Sequence, residues 1–593
     1  MTRASSPCCA PVAALAVLLL SGQPVAAVTY IVDQRHPQAS DQNAGTAEAP
    51  FKTIGKAAGV AAAGDTVTIR SGVYREAVVL EKDGTPAQPI RFQPDVAAHV
   101  VVTGADVLRD LTREPGEDAV FSAPWPHRFL GWSSNRAHPD DEFHRLIGRA
   151  EQVFVQGYAL RQVLNRGQLG RGSFFVDEGA KRLYVCSADA GDLTKLRVEG
   201  SVREVLWEVK GQHVHTRGIR FRYAANKAQS PSVVLRGRGD VLEDCVCEQM
   251  NSIGALFAGE GVVARRCVFQ DNGQMGFSAN AAHEALITEC VVRNNNIKGW
   301  NRGWEAGGDK LVLCRGLVIE KSQFLGNKGN GIWFDIGNEN CTVRHCLIAD
   351  NEDSGIFYEI SFGLHAHDNV LVGNGFADSP GAWGAQAAIS LSNSPNCVVE
   401  RNLIVGNREG FNFREQGRTT PTIAAPGKEV PVWNHDQVIR NNVLAYNRDA
   451  QTWAWFDVPD ERHWPPALQQ KPSDLKQGEP KAKWGKMDLD ENGWPVNLTL
   501  DRMNLTLAGN LYDAAPGQAL FRWGCTWRHN KSYETLAEVS RELGLEQGSR
   551  AASFVFADYL TRDFRVPPGS PAISMKCYPQ GDVPGVRLGI VEK

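Results

Sequence analysis

Residues 330–361, "NGIWFDIGNENCTVRHCLIADNEDSGIFYEIS", carry one phrase twice, as "GIWFDI" and "GIFYEI". Each copy holds a carboxylate, Asp335 and Glu359, where Val or Leu would suit a buried strand better. Working outward, a second phrase repeats around it. Cys245, Cys267, Cys290, Ser322, Cys346, Asn369, Asn402 and Asn442 open similar short apolar runs, at steps of 22, 23, 32, 24, 23, 33 and 40 residues. The unit is therefore about 22–24 residues with occasional insertions: an apolar alternation, an Asn or Gly turn, and a second alternation. A repeat this short cannot bury its own apolar face, but stacked copies can. The pattern predicts an all-β parallel solenoid. Leucine-rich repeats share the period but need a Leu scaffold that is missing. The recurring cysteines read as small core residues on an inward ladder.

The chain has 593 residues, too many for one ordinary core and suited to an elongated repeat architecture. Lys and Arg number 63 against 67 Asp and Glu, so the basic excess of a nucleic-acid binder is absent. Residues 1–27 have an early Arg3, the apolar run "PVAALAVLLL" and small residues before a cleavage point, which predicts an export signal and a secreted or periplasmic protein. No later stretch is long enough to span a bilayer. Loss of Cys8 and Cys9 with the signal leaves 11 of the 13 cysteines, an odd number with no CxxC pair, which argues against a zinc site.

The remaining segments divide accordingly. Residues 28–110 read as an N-terminal cap and first coils, with a helix near 53–63 closing the open edge. Residues 111–197 break the repeat and read as an inserted antiparallel, β-sandwich-like domain. Coils resume over 198–458, a Pro- and Lys-rich loop covers 459–505, and 506–593 hold the last coils and C-terminal cap.

Asp335 lies 13 residues after Ser322, and Glu359 lies 13 after Cys346, so the two acids occupy equivalent positions on adjacent coils. Adjacent parallel strands are about 4.8 Å apart. Alternation places Ile332, Phe334 and Ile336, with Ile356, Tyr358 and Ile360, inside, and turns Trp333, Asp335, Phe357 and Glu359 outward. Stacked like charges raise at least one carboxyl pKa. A retaining glycosidase requires that arrangement: carboxyls about 5–5.5 Å apart, one ionised and one protonated. Lys310, 25 residues before Asp335, is expected one rung earlier, holding Asp335 ionised. Glu305 is a sugar ligand or an alternative acid. Trp304, Trp333 and Phe357 offer aromatic surface, and Ser390, Asn412, Arg414 and His365 extend the candidate substrate contacts.

At "GWEAGGDK", "GIWFDI" and "GIFYEIS" the chain resembles secreted bacterial glycoside hydrolases built on a right-handed parallel β-helix, a pectate-lyase-like solenoid. The likeness is to the β-helical β-xylosidases, which carry an inserted β-domain, and to a β-helical α-L-fucosidase family. It implies Asp335 as nucleophile, Glu359 as acid/base, a polysaccharide or oligosaccharide partner and no cofactor. Two other readings stay open. A polysaccharide lyase would use Lys310 as base and Asp309, Asp335 and Glu359 around Ca²⁺; a non-catalytic carbohydrate-binding solenoid would use the aromatics alone.

Overall fold

The computed structural model describes residues 27–117, 119–129, 149–189, 191–303, 305–377, 386–416, 418–456, 503–525 and 529–591. Three sheets of 13 strands each run its length. The first extends from Thr29–Val32 to Thr506–Ala508, the second from Val78–Leu80 to His529–Tyr533, and the third from Gly72–Tyr74 to Arg550–Ala551. Pairing is parallel throughout, except that the second sheet ends on an antiparallel strand. Each coil contributes one short strand to each sheet, so the expected all-β parallel solenoid is the architecture observed.

One continuous apolar core fills the interior, with Ile332, Phe334, Ile356, Tyr358, Ile389, Leu391, Phe411 and Phe413 as successive rungs of the second sheet. Cys245, Cys267, Cys290 and Cys346 are buried free thiols in this core, and burial pushes the Cys346 thiol up to about 12. The Asn of each turn does more than bend the chain. Asn272, Asn295, Asn327, Asn351, Asn374, Asn407 and Asn447 form a ladder in which each side-chain amide donates to the next Asn carbonyl at 2.9–3.1 Å. Asn351 also donates to the Phe324 carbonyl at 3.1 Å, so both its amide hydrogens are used.

Helix Ile54–Val60, capped by the Thr53 hydroxyl accepting from the Lys56 N–H, packs Ile54, Ala57 and Ala58 on the open N-terminal end. Between Ala105 and Ser201 lie a four-stranded and a five-stranded sheet, mostly antiparallel, around a separate core of Phe121, Trp125, Phe174, Leu183 and Val185. Near the C-terminus, Phe554, Phe564, Val566, Ala572 and Tyr578 pack along the outside of the third sheet, on Leu347, Val370, Leu403, Val443 and Leu511. Among the described residues no helix is long and apolar enough to cross a membrane.

Two interior assignments differ from expectation. Ile336 is only partly buried, and Ile360, though buried, lies outside the main core cluster: the backbone turns left-handed at both, at φ +60° and +39°, and the strands end at Phe334 and Glu359. Alternation cannot be extended past the end of a strand.

Candidate active site

The site lies on the outer face of the second sheet. Trp333 pairs with Phe357, and Phe334 with Tyr358, which sets Asp335 against Glu359 on the next rung. Leu311 pairs with Phe334, so this coil advances by 23 residues and Lys310 stands opposite Trp333. The expected direct stacking of Lys310 on Asp335 is therefore corrected: the lysine is one row aside and reaches across. Its Nζ is 2.9 Å from Asp335 Oδ2, 3.2 Å from Glu305 Oε1 and 4.4 Å from the centre of the Trp333 ring. Burial alone would lower the Lys310 pKa, but Asp335 and then Glu305 outweigh it, and the ammonium is held above its usual range.

Asp335 and Glu359 are only 7% and 6% exposed. They face away from the aliphatic core, yet both are largely withdrawn from bulk water. Asp335 gives one oxygen to Lys310; its Oδ1 is buried and has no hydrogen-bond partner among the described residues. Glu359 accepts from Trp333 Nε1 at 3.3 Å and from Arg418 at 2.8 Å. Its pKa is raised, first by burial and then by the Asp335 charge, against the opposing pull of Arg418 and Arg414. One carboxylate therefore carries a fixed counter-cation and an unpartnered oxygen, and its neighbour favours the protonated form.

Asp309 adjusts the rungs from inside. The Trp333 N–H donates to Asp309 Oδ1 at 2.8 Å in place of a main-chain carbonyl, and the ladder resumes where the Asp335 N–H donates to Leu311 O. Asp309 is fully buried and turned inward, with its pKa raised well above the usual range by burial. It is consequently no ligand for a cation on the outer face, which corrects its place in the Ca²⁺ reading.

Glu305, on the loop before strand Gly307–Val312, is held by Gln229 Nε2 at 2.7 Å as well as by Lys310. Both the Asp335 and Glu305 oxygens touch one ammonium, at 2.9 and 3.2 Å, so they lie within about 6 Å of each other. Trp333 and Phe357 stack at 5.6 Å as a tilted pair. Ser390 follows Phe357 in register, Asn412 follows Ser390, and Ser392 and Arg414 continue the row of Glu359. His365 does not join them: it stands on the first sheet, in strand His365–His367, and faces Glu400 at 3.3 Å. Trp304 lies outside the described residues.

Arg418 is the site residue that sequence reasoning missed. It opens a hairpin, Arg418–Thr422 with Ala425–Val432, inserted after the strand that carries Arg414. The hairpin leans back across the solenoid. Ile423 N–H donates to Glu339 at 3.1 Å, and a Cβ on Gly337 (φ +64°) would meet the Pro421 carbonyl at 2.3 Å, so only glycine fits beneath it. The available signal was the 40-residue step between Asn402 and Asn442, with the alternating runs "RTTPT" and "KEVPV" inside it.

A family model described as "Right handed beta helix region" matches residues 231–383. "Uncharacterized protein YwoF" from Bacillus subtilis (strain 168) is 45% identical over 71 residues, so the match spans 12% of this chain and only 15% of that protein. The solved structure "The complex structure of XylC with xylose" superposes at a TM-score of 0.63, with 16% identity, over 89% of this chain and 88% of that one. A structure titled "Glycoside hydrolase" matches at 0.49, with 14% identity, over 65% of this chain and 94% of that one. The shared architecture is the right-handed parallel β-helix.

Proposed function

We propose that the protein is a retaining glycosidase acting on an oligosaccharide or polysaccharide, with Asp335 as nucleophile and Glu359 as acid/base. The observation that carries this reading is the unequal state of two carboxyls on adjacent rungs. Asp335 is fixed by Lys310 and keeps an oxygen with no partner among the described residues, while Glu359 is biased toward its protonated form. A rung spacing of about 4.8 Å is close to the roughly 5–5.5 Å separation that retaining enzymes use.

In the first step Asp335 Oδ1 bonds to the anomeric carbon as the bond to the leaving oxygen breaks, and Glu359 gives that oxygen its proton. The product is a glycosyl ester on Asp335. In the second step ionised Glu359 takes a proton from water, the hydroxide oxygen bonds to the anomeric carbon, and the ester bond returns its electrons to Asp335. Arg418 and the Trp333 indole N–H hold Glu359 and stabilise it while it is ionised between the steps. Phe357 and Trp333 offer a face for the pyranose ring. Glu305 keeps Lys310 in place and has oxygen capacity left for a sugar hydroxyl. This reading asks for no metal, and the export signal read at residues 1–27 suits an enzyme that meets glycans outside the cytoplasm.

The lyase alternative needs a deprotonated Lys310, and an ammonium clasped by Asp335 and Glu305 is a poor base. The fold likeness to a xylose complex makes aryl β-xylosides the first substrates to try, followed by fucosides and galactosides. On the active member of that panel, Asp335→Asn should lower kcat by about 10⁴-fold or more. Glu359→Gln should lose about 10²–10⁴-fold on an unactivated glycoside and much less on a nitrophenyl one, whose leaving group needs no proton. Asp335→Asn retaining near-native turnover would refute the assignment.

A further inference from the structure

The outer face of the second sheet does not stop at the catalytic pair. Beyond Glu359 it continues over four more rungs, through Ser390 and Ser392, Asn412 and Arg414, Trp453, and Arg522. Ser390, Ser392 and Asn412 are at most 1% exposed, yet Ser390 Oγ, Ser392 Oγ and Asn412 Oδ1 have no hydrogen-bond partner among the described residues. An unpaired buried polar group costs about 1–3 kcal/mol. Three of them on two successive rungs, next to a pair of carboxyls, are the lining of a site whose hydroxyl partners come from a ligand.

The strip ends in a receptor of different character. Trp453 and Arg522 are opposite one another in register, and the guanidinium carbon lies 4.8 Å from the centre of the indole ring. Arg522 Nε is buried without a hydrogen-bond partner, and no carboxylate among the described residues comes within ion-pair distance of this arginine. Arg408 and Arg448, on the preceding turns, are by contrast both paired with Asp449, at 2.9 and 2.7 Å. The acid whose charge Arg522 feels, Glu409, is already engaged by the Asn412 amide at 2.9 Å. A guanidinium laid on an indole is ordered in advance, and its edge donors suit a bidentate oxyanion. Stacking on the ring does not neutralise its charge.

The direction of the chemistry tells which part of a substrate reaches this place, and here the inference rests on the glycosidase reading. Asp335 takes the anomeric carbon and Glu359 protonates the leaving oxygen, so the leaving-group side points from Asp335 past Glu359, toward Ser390 and Asn412. At about 4.8 Å per rung, Trp453 and Arg522 stand roughly 14 and 19 Å beyond Glu359. Only an oligosaccharide of several units spans that distance.

We propose that this strip binds the leaving-group side of an oligosaccharide, and that Trp453 and Arg522 receive an acidic sugar unit, its carboxylate or sulfate on the guanidinium and its ring on the indole. The test is calorimetric and uses the full-length chain carrying Glu359→Gln, so that binding is read without turnover. The probes are oligosaccharides in matched pairs: neutral xylo- and galacto-oligosaccharides, the same chains bearing a glucuronate or galacturonate, and the same chains bearing a sulfate ester. The expected result is tighter binding of an acidic member than of its neutral partner. Adding Arg522→Gln should weaken that acidic member about tenfold or more and leave the neutral one unchanged. Arg522→Lys should restore part of the preference, and Trp453→Ala should weaken both members. The uronate and sulfate arms identify the anion. Equal affinity within every pair, or a loss on Arg522→Gln that is the same for neutral and acidic chains, would overturn the proposal. Because no step here needs catalysis, a wild-type chain that cleaves nothing in the aryl-glycoside panel would count against the glycosidase reading and leave this measurement to decide the anion site by itself.

Discussion

Two polar ladders run along this solenoid, and they differ in what they lack. The asparagine ladder from Asn272 to Asn447 is buried in the turns, and each amide from Asn272 to Asn407 finds its partner on the next coil. The outward face that carries Asp335, Ser390 and Asn412 is also buried, but leaves Asp335 Oδ1, Ser390 Oγ and Asn412 Oδ1 without partners among the described residues. The same device, one residue repeated per rung, serves cohesion where every group is satisfied and recognition where some are not. A turn amide that closes on its neighbour fixes the stack. A hydroxyl or carboxylate left open adds no bond to the stack and is free for a ligand.

The contrast can be broken by substitution. Asn351→Leu should be the most damaging change to the fold. It removes an amide that donates to the Phe324 carbonyl and to Asn374, and an acceptor that serves Asn327 from both its backbone and its side chain. The loss should be about 3 kcal/mol or more, read as the shift in a denaturant midpoint. Ser390→Ala, equally buried but removing a hydroxyl with no partner among the described residues, should leave that midpoint unchanged or slightly raised. Equal losses from the two would erase the distinction drawn between the ladders.

A smaller effect sharpens the same contrast on the catalytic side. Arg418 favours the ionised form of Glu359, so Arg418→Met should raise the Glu359 pKa further. Activity that requires protonated Glu359 is lost as pH rises through that pKa. The alkaline limb of the kcat/KM profile should therefore move to higher pH while the maximum falls, since the ion pair that holds Glu359 is gone. A limb that stays in place would separate Arg418 from the acid.

Much of this organisation was legible in the chain. The 22–24-residue period, the inward cysteines, the capping helix and the outward placement of Asp335 and Glu359 all follow from repetition and alternation, which are local properties. What escaped depends on relations between coils. The row of Lys310 is decided by how the coil after it closes, and the pairing of Leu311 with Phe334 leaves it on the expected rung but opposite Trp333, one outward row aside from Asp335. Asp309 reads as an outward metal ligand until that register is known, and then its side chain proves to replace a ladder carbonyl for Trp333. Arg418 arrives from an insertion after a later strand, and no spacing rule says where such a hairpin will lean. His365 has the composition of a site residue but belongs to another sheet. Period is written in sequence; register across insertions is written in packing.

The account rests on Asp335 as the group that becomes bonded to the sugar. Incubation with a 2-fluoro glycosyl fluoride of the active sugar, followed by peptide mass spectrometry, reads this directly, because the fluorine slows the second step and leaves the ester in place. The prediction is a single glycosyl adduct on the peptide containing Asp335, absent in Asp335→Asn. An adduct on Glu359 or Glu305, or turnover of the parent glycoside that yields the inverted anomer with no adduct at all, would contradict it.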